Sequence, residues 1–199
     1  MKTYLDKNVY EAALERIAYC FQEFDNVLVA FSGGKDSGVL LNLCYNYADE
    51  HGLLDKLTMY HLDYEAQYQM TTEYVTRTFL EQFPGIRKMW YCVPIKAQSA
   101  CALGEPYWTP WDAAKKKLWV RAMPENPYVV HEGNLDVPFR HGMVDYEFQD
   151  KLSRHFAKKR GTTAVMVGLR ADESLNRYAA VARGKKRRSY EGRKWITQT

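Results

Sequence analysis

Nowhere in these 199 residues does an apolar run approach the roughly 20 residues a bilayer-spanning helix needs, so no membrane contact is expected. The opening, Met1-Lys2-Thr3-Tyr4-Leu5-Asp6-Lys7-Asn8, places no apolar stretch behind its charges, which argues against a signal peptide and for a cytoplasmic protein. Cysteine is sparse. Cys20, Cys44, Cys92 and Cys101 stand apart with no Cys-x-x-Cys pair, so no zinc site or redox couple is expected and the thiols read as reduced. Two common phosphate-loop patterns, Gly-x-x-x-x-Gly-Lys-Ser/Thr and Gly-x-Gly-x-x-Gly, are absent as well.

What is present suits one globular unit. Hydrophobic residues make up 46% of the chain and charged residues 26%, an ordinary soluble balance, and the length is enough to bury a core. Residues 1–199 read as a single domain with an irregular insertion over 94–140 and a basic C-terminal segment over 183–199. Six of the seven prolines fall between Pro94 and Pro138, together with Trp108, Trp111 and Trp119, which breaks the regular rhythm there. Such segments serve as lids or binding loops, or pack on their own domain; the tryptophans favour packing as the primary role. The net charge of +4 is uneven: Arg183 to Lys194 holds seven basic residues and one glutamate, so the rest of the chain is slightly acidic. That run is either a solvated tail or a surface for phosphate, nucleic acid or an acidic protein partner.

The most informative stretch is Phe31-Ser32-Gly33-Gly34-Lys35-Asp36-Ser37-Gly38. The apolar run Val27 to Phe31 predicts a strand, the glycine pair a tight corner, and Val39, Leu40, Leu43, Cys44 and Tyr47 a helix. Adjacent glycines permit left-handed backbone angles and close approach of a ligand. The amides that follow lie at the positive end of a helix, and Ser32, Ser37 and Lys35 add two hydroxyls and a cation to what becomes an anion cradle. The other reading of these residues is a surface turn with ordinary helix caps.

Further elements follow in alternation. Helix is expected over 9–24, strand over Leu57 to Leu62, helix around Tyr74 to Phe79 stopped by Pro84-Gly85, and strand over Met89 to Val93. After the insertion comes a helix from Val144 through Lys158-Lys159-Arg160 to Gly161, and then a strand over Ala164 to Leu169. Continuous apolar strands alternating with helices predict an α/β fold, an open parallel Rossmann-like sheet with strand order about 3-2-1-4-5. Ligands of such sheets bind outside the carboxyl ends of strands where the order reverses. The exits of the first and fourth strands would then face one another, bringing Arg170, Arg177 and Glu173 towards Lys35 as anion-binding forks and an orienting acid.

The six residues Ser32 to Ser37 resemble the Ser-Gly-Gly-x-Asp-Ser loop of the adenine nucleotide α-hydrolase (PP-loop ATP pyrophosphatase) superfamily. Gly168-Leu169-Arg170-Ala171-Asp172-Glu173-Ser174-Leu175-Asn176-Arg177 is similar to the Gly-x-Arg-x-x-Glu-Ser-x-x-Arg signature of phosphoadenosine phosphosulfate (PAPS) reductases and ATP sulfurylase small subunits. Asp63-Tyr64-Glu65-Ala66-Gln67-Tyr68 resembles a segment of the PAPS reductase-like subfamily that includes the immunoglobulin-binding regulator A proteins. The resemblance covers roughly residues 26–180. It implies binding of ATP or PAPS by Ala30, Phe31, Ser32, Gly33, Gly34, Lys35, Asp36, Ser37, Asp63, Glu65, Gly168, Arg170, Ser174 and Arg177. Lys35, Asp36, Arg170 and Glu173 are the candidate catalytic residues. Ala30 and Phe31 would lie near adenine, Asp63 or Glu65 near ribose or Mg²⁺, and Asp36 would help hold Mg²⁺ with ATP.

Two departures narrow the chemistry. The last cysteine is Cys101, so the C-terminal catalytic cysteine of PAPS reductases is missing, and so are the cysteine pairs of iron-sulfur adenylylsulfate reductases. Thiol-dependent PAPS reduction and an iron-sulfur cluster are therefore not expected. The subfamily that the chain resembles continues past the basic segment, so a further helical region is expected to be missing or divergent here. The activity expected is cleavage at the α-phosphorus or transfer of a sulfur or adenylyl group. The alternative is a catalytically degenerate nucleotide sensor acting through a protein or DNA partner, with nucleic acid held by 183–194.

Overall fold

The computed structural model describes residues 6–99, 104–169 and 175, and the backbone of 188–190 and 193–195. Helix α1 (Val9–Glu23) starts in a capping box: the Asn8 side chain accepts the Glu11 amide at 2.9 Å and the Glu11 carboxylate accepts the Asn8 amide at 3.2 Å. The chain continues through β1 (Asn26–Ala30), α2 (Lys35–Glu50), β2 (Leu57–Leu62), α3 (Gln69–Glu81) and β3 (Arg87–Cys92). The insertion contributes β4 (Ala97–Gln98), β5 (Tyr107–Trp108) and β6 (Val129–His131). After it come α4 (Asp145–Arg160) and β7 (Thr163–Val167). A short hairpin, β8 (Arg188–Tyr190) with β9 (Arg193–Trp195), lies in the basic segment.

Five strands form one parallel sheet in the order β6-β3-β2-β1-β7, an α/β, Rossmann-like arrangement. The first four expected strands stand in the relative order 3-2-1-4. The fifth differs from expectation: β6, from within the 94–140 insertion, adds beyond β3 and not beyond the fourth strand. Three residues give no usable periodicity, which is why Val129-Val130-His131 does not stand out from the surrounding turns.

Side chains alternate across the sheet and divide the core. Val27, Val29, Leu57, Met59 and Trp90 pack against Ile17, Phe21, Leu41, Cys44, Val75 and Phe79 of α1, α2 and α3. Leu28, Tyr60, Leu62 and Tyr91 face Phe148 and Leu152 of α4. Helices on both faces bury the strands from both sides, which explains their unbroken apolar character. Two lysines next to strand starts cap helix ends: Lys56 Nζ donates to the carbonyls of Phe21 and Phe24 at 3.0 and 3.1 Å, and Lys88 Nζ to Phe79 at 2.8 Å. Cations there satisfy orphan carbonyls at the negative end of the dipole.

Among the described residues no helix is long and apolar enough to cross a membrane. Cys20, Cys44 and Cys92 are unpaired thiols, and Cys101 lies outside the described residues.

Candidate functional site

Strand β1 leaves the sheet at Ala30 and α2 begins at Lys35, so four residues make the corner. Gly33 holds φ at +81°, and a Cβ there would stand 2.7 Å from Val75 Cγ2 and 3.0 Å from Thr71 Cγ2 on α3. Both the backbone angle and the crowding demand glycine. Gly34 is the N-cap of α2, and the geometry of a helix start aims the Lys35, Asp36 and Ser37 amides out of its end. Lys35 is exposed beside them.

The two serines brace the corner. Ser37 Oγ donates to the Gly34 carbonyl at 2.9 Å, accepts the Ser32 amide at 3.2 Å and lies 3.0 Å from Ser32 Oγ, which accepts the Gly34 amide at 3.3 Å. Ser37 is buried, so its hydroxyl holds the loop's shape, while the exposed Ser32 stays at the surface. Phe31 turns its ring inwards, buried against Tyr74 and His61 with centroids 5.8 and 6.4 Å away. Ala30 is half-buried at the strand end.

The exit of β7 lies next to this corner. Ala30 pairs with Val167 in parallel register, so both strands end at the same rim. Gly168 packs onto the first turn of α2: a Cβ there would come within 2.8 Å of the Asp36 carbonyl oxygen and 2.9 Å of the Ser37 nitrogen. The start of the second signature is thus brought against the loop. Arg170, Glu173, Ser174 and Arg177 lie outside the described residues.

At the β2 exit the geometry departs from expectation. Asp63 is 0% exposed and Glu65 4%, and neither carboxylate is turned outwards. Asp63 accepts Trp90 Nε1 at 2.7 Å, the Glu65 amide at 2.7 Å, and Arg121 Nη2 at 2.6 Å on each oxygen. Glu65 accepts the amides of Trp111 and Val120 at 2.8 and 2.9 Å, while its carbonyl takes Arg121 Nε at 2.9 Å. Trp111 Nε1 closes the set on the Asp63 carbonyl at 2.9 Å, and Arg121 lies over the Trp111 ring, 4.8 Å from its centroid. Buried carboxylates must be paired and hydrogen-bonded, and here the insertion supplies Arg121 to Asp63 and the Trp111 and Val120 amides to Glu65, beside Trp90 and the Glu65 amide. The strand-end acids are a clamp for residues 111–121. Both Asp63 oxygens accept at least two hydrogen bonds and both Glu65 oxygens one, so the two carboxylates turn to the core and the insertion and away from the rim where ribose or Mg²⁺ was expected.

Arg121 and Trp111 are the residues that sequence reasoning misses. Their signal was the isolated arginine within the tryptophan-rich stretch, facing a pair of acids at a strand end. The tryptophans do pack onto their own domain: Trp111 is 2% exposed, and Trp119 meets it edge-on at 5.2 Å while donating to the Asp112 carbonyl at 3.0 Å.

Of the acids expected near a metal, Asp36 alone stands at the loop, half-buried at the start of α2. No group of three or more His, Cys, Asp or Glu side chains among the described residues would hold a metal. Burial, reinforced by the Asp63 carboxylate, pushes the Cys92 thiol well above its ordinary range, and burial does the same to Cys44. Neither is a thiolate nucleophile. Among the described residues a concavity of about 1440 Å³ runs beside β7 between α1, α2 and α4 and reaches the loop near Asp36, Gly168 and Leu169. Its size exceeds that of a typical small-molecule pocket, and Ile17, Leu40, Leu43 and Met166 make much of its wall apolar.

Comparison with known proteins agrees with the rim geometry. Residues 26–190 match the phosphoadenosine phosphosulfate reductase domain. The chain is 32% identical over 195 residues to the uncharacterized protein YbdN of Escherichia coli strain K12, covering 97% of this chain and 46% of YbdN. It therefore spans about half the length of that relative.

Proposed function

Because the chain belongs to the phosphoadenosine phosphosulfate reductase domain family, we propose that the corner at residues 31–37 binds an adenine nucleotide, ATP or PAPS, by its phosphates. The observation that carries this reading is the Gly33–Gly34 corner at the start of α2 with Gly168 of the β7 exit packed on it. Helix amides and Lys35 there supply fixed positive charge for phosphate oxygens, and the same donors would stabilise charge developing at the α-phosphorus during hydrolysis or group transfer. Arg170 and Arg177 are proposed to complete the anion site, with Glu173 and Ser174 orienting them. Mg²⁺, if ATP is the ligand, would rest on Asp36 and the phosphates; one carboxylate with phosphate oxygens is a usual form of Mg²⁺ site.

Calorimetry with PAPS, and separately with ATP and Mg²⁺, tests the reading. Binding of at least one nucleotide is expected, weakened at least 10-fold (about 1.4 kcal/mol) by Lys35→Ala. Absence of binding, or undiminished binding in that variant, overturns it. Lys35 is preferred to Ser37 as the site of substitution, because removing the Ser37 hydroxyl would also unbrace the loop.

A further inference from the structure

His61 sits near the end of β2, 1% exposed, on the layer that α3 covers. Its ring is enclosed by Phe31, Phe79 and Trp90, with centroids 6.4, 6.4 and 5.5 Å away. Nδ1 lies 2.8 Å from the carbonyl oxygen of Phe31, the last residue before the serine–glycine corner. A carbonyl only accepts, so Nδ1 carries the proton, and burial disfavours a second proton on the ring. The neutral ring then presents Nε2 as a bare acceptor.

That atom is buried with no partner, and so is Oε1 of Gln67, whose side chain lies within hydrogen-bonding reach of the ring. One change relieves the meeting of two acceptors. Amide oxygen and nitrogen are near-isosteric, and turning the Gln67 amide over gives Nε2 of His61 a donor in place of a second acceptor. Gln67 belongs to the Asp-x-Glu-Ala-Gln-Tyr segment and lies two residues before α3, the helix whose Thr71 and Val75 crowd Gly33.

We propose that His61 is a positioning residue for the anion loop: Nδ1–H holds the Phe31 carbonyl while Nε2 takes the Gln67 amide, fixing the β1 exit to the connection between β2 and α3. The peptide whose carbonyl it holds is the one that enters Ser32, so its orientation sets where the following amides point. As far as it concerns a ligand, the proposal rests on nucleotide binding at that loop; as far as it concerns the loop's order, it does not.

Two variants separate the donor from the packing. His61→Phe keeps a flat ring in the same apolar enclosure and removes both nitrogens; His61→Asn keeps an N–H near the Nδ1 position. Hydrogen exchange in the nucleotide-free protein is expected to be at least 10-fold faster at the Ser32 and Gly34 amides, which bond within the corner, in His61→Phe, and within about 3-fold of the parent in His61→Asn. In the parent protein, ¹⁵N NMR should show an unprotonated Nε2 and a protonated Nδ1. Nucleotide affinity by calorimetry should follow the same order, lost at least 10-fold in His61→Phe and retained in His61→Asn. Equal exchange at the loop in both variants and the parent, or a protonated Nε2, overturns the proposal. Should the parent bind no nucleotide while the exchange pattern is as expected, the ligand assignment falls and the positioning role stands.

Discussion

Histidine 61 also gives the molecule an acid sensitivity whose sign follows from its burial. Burial, the largest influence, holds its pKa below the ordinary value; the Asp63 charge, the Phe31 carbonyl and Gln67 oppose this, and Arg121 adds to it. The unfolded chain, with an ordinary imidazole near pH 6.5, takes up the proton first as pH falls. Stability is therefore complete above about pH 6.5 and declines below it towards the native pKa, with a limiting slope of about 1.4 kcal/mol per pH unit. Urea midpoints measured between pH 7.5 and pH 5 should show this decline, and His61→Asn should remove its share. The other four histidines are common to both proteins, so the difference between the two curves isolates His61; parallel curves would refute the assignment. None of this was legible in the sequence, where His61 is one polar residue inside an apolar strand. Gly33 was legible, since its neighbours name the loop, although the part of its necessity that comes from Val75 and Thr71 is tertiary. Asp63 and Glu65 show the limit: their identities signalled a special strand end, but which way the carboxylates turn depends on an arginine 58 residues further from Asp63.

Among elements, the exit of β7 meets the first turn of α2 backbone to backbone. The neighbours of a Cβ at Gly168 would be backbone atoms of Asp36 and Ser37, at 2.8 to 2.9 Å, and backbone in a helix start cannot rotate aside as a side chain can. Gly168→Ala is therefore expected to push the β7 exit away from the loop and to cost about 1–3 kcal/mol, the usual range for overpacking. Denaturant midpoints check the stability. Calorimetry checks whether nucleotide affinity falls together with it, and a variant as stable as the parent would show that the two elements separate freely. The long elements were readable because each carries enough residues to display a period: α1, α2, β2 and α4 fall close to their expected bounds. Strand β6 was not, since its place comes from pairing Val129, Val130 and His131 with β3. An edge strand of that length gains its identity from the neighbour's unpaired backbone, which no local pattern announces.

For the molecule as a whole, the Asp63–Arg121 pair decides whether the insertion behaves as part of the domain or as an appended loop. Arg121 is largely buried and bonds to Asp63 and Glu65, so removing it leaves a buried carboxylate without its cation. Breaking such a pair by taking away one partner costs about 3–5 kcal/mol, much more than an exposed pair is worth. In Arg121→Met most of that cost is avoidable if residues 111–121 detach, because Asp63 and Glu65 then regain water. The variant is therefore expected to open locally before it unfolds globally. Trypsin reports the difference, since Lys115, Lys116 and Lys117 are exposed within the clamped segment, in short 3-10 turns kinked at Lys115. Cleavage after these lysines should be at least 10-fold faster in Arg121→Met than in the parent, with the remaining fragments still giving a cooperative thermal transition. If the parent is cut there equally fast, the clamp does not hold the insertion down. If the variant instead loses its thermal transition entirely, the insertion is integral to the core, and Trp111 with its 2% exposure is the residue through which the loss travels.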